Sequence, residues 1–96
     1  MSIVTVVAKI VAREEAIESV KAELLKMIVP TRVEPGCIEY RLHQDSLAPA
    51  LFLYYENWES MAFLEQHLNS PHYKNYAAAV QNLIVDKVVY KMIELV

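Results

Sequence analysis

Five apolar residues in succession, Leu51-Phe52-Leu53-Tyr54-Tyr55, constrain this chain more than any other stretch. Side chains alternate between the two faces of a strand, so an unbroken apolar run reads as a strand buried on both. Such a strand belongs in the middle of a sheet, and the other elements must be arranged around it. A single carboxylate, Glu56, ends the run, followed by Asn57 and the only tryptophan, Trp58. From Ser60, an N-cap residue, the apolar period lengthens from two to 3.6 and predicts a helix to about Leu68. His67 shares a stripe of that helix with Phe63 and Leu64. The centre of any functional site is therefore expected between Leu51 and Tyr76.

The flanking segments supply the rest of a domain. Residues 3–12 form a strand whose even positions, Val4, Val6, Ala8 and Ile10, are all apolar and face a core. Residues 14–29 read as a helix with Glu14 and Glu15 in its first turn and a stripe of Ile17, Val20, Leu24, Met27 and Ile28. Pro30 is expected to end or kink it. In the turn Glu34-Pro35-Gly36 the only glycine stands where a positive φ is cheapest. Residues 37–44 alternate cleanly and suit a strand near an edge with one wet face. Ser70-Pro71 starts another helix, with Tyr73, Tyr76, Ala77, Val80 and Leu83 inward, and residues 87–95 form the last strand. The order β-α-β-β-α-α-β gives an α+β, ferredoxin-like split βαβ with an antiparallel sheet. Its first and third strands are central, and its helices cover one face.

Composition bears on partners. The 96 residues make one domain, 1–96, able to bury roughly 60–65% of its unfolded surface. A hydrophobic fraction of 55% exceeds the ~45–50% of ordinary soluble domains. That surplus, and a sheet with one uncovered face, point to a homodimer. The net charge of −3, with acids and bases interspersed, offers no basic stripe for nucleic acid. Apolar runs of about five residues are too short to span a membrane. Without a secretory signal pattern, and with Cys37 as the single cysteine, a cytoplasmic setting is expected.

The phrases TRVEPGCIEYRLHQD, LYYENWES and EQHLNSPHY, in that order, resemble the antibiotic biosynthesis monooxygenase superfamily, and within it the small quinol-monooxygenase-like proteins. The resemblance covers nearly the whole chain. It implies a dimeric α+β barrel in which each subunit keeps its own pocket. It does not by itself decide the reaction: members oxidise phenols or quinols by O2 without metal or flavin, degrade haem, isomerise a phosphorylated signalling sugar, or have no established activity. Haem-degrading members carry a Trp and a His where this chain has His67 and Ala77, and a strand-one Asn that it lacks, so haem degradation is not expected.

Two readings stand for each candidate residue. His67, on an otherwise apolar helix face, is either the base for a phenol proton or a core histidine with a satisfied partner. Glu56 either orients His67 or holds a substrate hydroxyl, or else closes the strand in a salt bridge with Arg41. Trp58, Tyr40 and Tyr76 either stack on a flat aromatic substrate or are plain core. His72 is expected to be exposed near a helix start and His43 to lie on a wet face. With no partner at metal-ligand spacing, no metal site is expected. Cys37 reads as a small apolar residue, and a lone glycine excludes a phosphate loop. The expected function is a cofactor-independent monooxygenase acting on a small quinol- or polyphenol-like aromatic with O2. The alternative is a non-oxygenase of the same fold, an isomerase or a small-molecule binding protein.

Overall fold

Alternating burial along the first strand sets the architecture. In β1 (Val4–Ala12) every even residue is buried and every odd one half-buried. The computed structural model describes residues 2–96. After β1 come a 3₁₀ turn (Glu14–Ala16), α1 (Ile17–Lys26), α2 (Ile28–Arg32), β2 (Cys37–Gln44), β3 (Leu51–Trp58), α3 (Met61–Leu68), α4 (Pro71–Val80) and β4 (Ile84–Met92). The sheet order is β2-β3-β1-β4 with every neighbouring pair antiparallel. The apolar strand β3 and β1 are therefore central, and the fold is the expected ferredoxin-like α+β arrangement.

Register places the chemistry. Val6 pairs with Glu56, and Glu56 with Tyr40 across the next ladder, so all three side chains stand on the helix-covered face. There they meet Val20, Leu24 and Met27 of the first helical segment, and Leu64, Tyr76 and Val80 from α3 and α4. Burying these apolar side chains, each worth about 1.5–3 kcal/mol, is the main stabilising term for the layer packing.

Three expectations are corrected. The run at 51–55 is covered on one face only: Phe52 and Tyr54 are buried, but Leu51 and Leu53 are half-buried and Tyr55 is exposed on the open face. The helix expected over 14–29 divides into a 3₁₀ turn, α1 and α2. Because α2 restarts after Met27, Pro30 falls in a first turn, where its missing amide has no helical acceptor to lose. The last strand begins three residues earlier than expected, at Ile84, and ends at Met92.

The open face carries a stripe of Tyr55, Val7 and Tyr90 across three strands. Beside it runs a polar chain: Thr5 Oγ1 donates to Asn57 (2.6 Å), Asn57 Nδ2 to Glu39 (2.8 Å), and Arg41 pairs with Glu39 (3.2 Å). Gly36, at φ 81°, has the positive φ expected of it. A Cβ there would also lie 2.2 Å from the Phe63 ring, so the turn fits only glycine.

Candidate active site

The site is built on three short pieces of chain that converge on one carboxylate oxygen. Ser60 caps α3, accepting from Phe63 N, and one turn later the helix turns Leu64 and His67 into the core. The imidazole is 2% exposed and packed among aromatic rings, 4.8 Å from Trp58, 5.3 Å from Tyr73 and 5.6 Å from Tyr40 between centroids. Its Nδ1 lies 2.7 Å from Glu34 Oε2. Glu34 stands in the turn before β2, fixed by its own N–H donated to Thr31 O (3.0 Å) and by Cys37 N donated to its carbonyl (3.2 Å). The same Oε2 lies 2.6 Å from His72 Nε2 in the first turn of α4. Ser70 joins the two helices, donating to His67 O (2.6 Å) while its Oγ caps α4.

Electrostatics follow from that geometry. Burial disfavours the imidazolium and lowers the His67 pKa, opposed by the Glu34 bond and charge. An ionised carboxylate only accepts, so it holds the neutral ring with its proton on Nδ1. Nε2 then keeps its lone pair, and the only side-chain hydrogen bond of His67 found among the described residues is the one through Nδ1. His67 is on the wall of a cavity of about 40 Å³ between the sheet and helices α3 and α4. Tyr40, Tyr54, Glu56, Tyr73 and Tyr76 share that wall, and exposed Lys87, Val89 and Lys91 of edge strand β4 lie on its open side. Lys87 Nζ donates to Tyr73 OH at 2.8 Å. Burial pushes the Tyr40, Tyr54 and Tyr76 phenols well above their ordinary range, so they remain neutral.

Glu56 is 4% exposed, and burial raises its carboxyl to about 7 against a Trp58 bond that pulls it down. Trp58 Nε1 donates to its Oε1 at 2.9 Å. Neither role weighed for Glu56 through a charged partner is observed. Arg41 lies on the other face of the sheet with Glu39, and Glu34 is the residue that orients His67. Among the aromatic candidates, Tyr40 and Tyr76 line the cavity, whereas Trp58 is fully buried behind it, against His67. Tyr40 stacks on Tyr54 at 4.6 Å, and Tyr54 OH donates to Leu24 O at 2.6 Å. Cys37 is half-buried, and burial raises its thiol to about 11, which leaves it protonated and unreactive.

Sequence reasoning missed Glu34 and misplaced His72, which is half-buried instead of exposed. It read Glu34 only as a turn residue; the turn chemistry of Pro35-Gly36 marks a fixed point in the chain but not what it faces. It also excluded a metal from the spacing of His67 and His72. Across the α3–α4 break their nitrogens nevertheless meet Glu34, and all three donor atoms lie within 4.8 Å of one another.

Comparison with known proteins agrees with this architecture. Residues 3–79 match the family described as antibiotic biosynthesis monooxygenase. A Mycobacterium tuberculosis protein named "Putative monooxygenase Rv0793" is 40% identical over 81 residues, 84% of this chain and 79% of its own length. The Escherichia coli protein named "Probable quinol monooxygenase YgiN" is 33% identical over 92 residues, covering 85% of this chain and 88% of that one. The crystal structure of PA3566 from Pseudomonas aeruginosa superposes with a TM-score of 0.96 at 30% identity, over 100% of this chain and 97% of that chain.

Proposed function

Because this chain belongs to the antibiotic biosynthesis monooxygenase family, we propose that it oxidises a small quinol- or polyphenol-like aromatic with O2 and no cofactor. The observation that carries this reading is His67, on the wall of an aromatic-lined cavity, whose Nδ1 is held by Glu34 while Nε2 keeps its lone pair.

The cavity that raises the Tyr40 and Tyr76 phenols would raise a substrate phenol for the same reason, since a dry wall disfavours the anion. Deprotonation therefore needs charge compensation as well as a base. Glu34 stabilises the imidazolium as it forms, and Lys87 and Lys91 face the phenolate from the open side. The phenolate passes one electron to O2, and the radical pair recombines on the ring. For a quinol, one oxygen atom stays in a hydroxyquinone and the other leaves as water, with all four electrons drawn from the substrate. At about 40 Å³ the cavity holds a few waters, against roughly 150 Å³ in a cavity known to take benzene. Substrate entry therefore requires the exposed β4 side chains to swing aside.

The test is oxygen uptake with a panel of quinols and polyphenols. Substrate-dependent uptake that persists after chelator treatment is expected. Equal turnover under nitrogen would move the protein to the isomerase class.

We further propose a homodimer through the open sheet face, which leaves Tyr55, Tyr90 and Met92 exposed in a single chain. Sedimentation at low micromolar concentration is expected to give a dimer; a well-folded monomer would exclude it. A reducing cytoplasm suits the unpaired Cys37. Among the described residues, no helix is long and apolar enough to cross a membrane.

A further inference from the structure

We propose that Glu34, His67 and His72 form a binding site for a divalent transition metal ion of the zinc class, and that occupancy switches the catalytic base off. Two imidazole nitrogens and a carboxylate oxygen are a donor set that such ions favour. They come from three separate pieces of chain, so convergence within 4.8 Å is a product of the fold, not of local spacing. Glu34 has no lysine or arginine partner among the described residues; both of its side-chain contacts are to these imidazoles. A cation would replace the two ring protons that now converge on Oε2. Ligands on a tetrahedral zinc stand about 3.3 Å apart. The contacts of 2.7 and 2.6 Å to Glu34 would therefore open by well under an ångström. The two imidazole nitrogens, within 4.8 Å of each other, would close by up to about 1.5 Å.

The ion has its own way in. His72 lines a groove of about 190 Å³ with Glu23, Lys26, Met27, Asn75 and Tyr76, between α1 and α4. Neither Glu34 nor His72 is on the wall of the substrate cavity, and His67 alone belongs to both sites. The ion would therefore sit behind the imidazole and out of reach of substrate, which separates this site from an oxygen-activating metal centre. Its effect on the reaction follows from the tautomer. A neutral imidazole carries one proton, so a metal on Nδ1 leaves that proton on Nε2. Nε2 then donates instead of accepting, and it no longer takes a proton from the substrate. This second half rests on the monooxygenase reading; the binding itself does not.

The experiment uses the full chain, stripped with chelator and titrated with Co²⁺ and Zn²⁺. One Co²⁺ per chain with visible d–d absorption is expected, displaced by Zn²⁺. In His72→Gln and Glu34→Gln, each checked for folding by circular dichroism, affinity is expected to fall more than about 10-fold. Should Glu34→Gln fail to fold, His72→Gln decides alone, since its side chain is only half-buried. Lack of stoichiometric binding, or full-strength binding to His72→Gln, overturns the site. Zn²⁺ is also expected to stop quinol-dependent O2 uptake at one equivalent in the unsubstituted chain. Binding with uptake unaffected overturns the switch and leaves the site standing. Binding in a protein that consumes no O2 with any quinol overturns the monooxygenase reading and the switch with it, again leaving the site.

Discussion

His67→Ala is expected to lower kcat for quinol-dependent O2 uptake by ~10²–10⁴-fold, the ordinary reach of general acid–base catalysis. A stability cost is expected alongside it. The ring is enclosed by Trp58, Tyr73 and Tyr40, and its loss leaves a void and takes one of two imidazole donors from Glu34. That cost is on the order of 1–3 kcal/mol. Activity must therefore be read per folded molecule, with urea midpoints and O2 uptake measured on the same samples. His67→Asn restores part of the polar contact but cannot act as a base, so it should recover stability and not rate. Normal uptake per folded molecule in either variant would remove His67 from the mechanism and leave it a structural histidine. Glu34→Gln keeps an acceptor for Nδ1–H but removes the charge that stabilises the imidazolium; its kcat should fall less than that of His67→Ala.

Glu56→Gln is expected to stabilise the protein above neutral pH. Its carboxyl titrates near 7 in the folded chain against 4.5 ordinarily, because burial penalises the charge. Between those values the folded state holds a proton that the unfolded state has released, so stability falls as pH rises. The contribution is fully present below about 4.5 and lost above about 7. A shift of this size corresponds to roughly 2–4 kcal/mol. Glu34 adds to the penalty and Lys87 opposes it, while Trp58 Nε1 donates to the carboxylate. Glutamine keeps the oxygen that accepts from Trp58 and carries no charge at any pH. The variant should therefore gain in urea midpoint at pH 8 and match the parent chain near pH 4.5. An equal loss at both values would show that shape, not charge, governs this position.

Much of the fold was readable in the sequence because its signals are local. The apolar run at 51–55 placed β3 in the centre, the alternation in 3–12 named the buried face of β1, and Ser60 and Ser70-Pro71 marked two helix starts. Each signal depends on residues within one or two turns of each other, where backbone geometry fixes which side chains share a face. The same logic marked His67, Glu56, Tyr40 and Tyr76 as inward-facing polar or aromatic groups. It failed where neighbours came from elsewhere in the chain. Glu34 is 33 residues from His67 and 38 from His72, and no periodicity links them. Sequence spacing argued against a metal because His67 and His72 sit across a helix break, yet that break turns both rings toward one oxygen. Which carboxylate holds the histidine, that Trp58 lies behind it and which lysines face the cavity were decided by packing. Sequence determines the faces that elements present; only the tertiary structure decides what each face meets, since that depends on fitting the whole core at once.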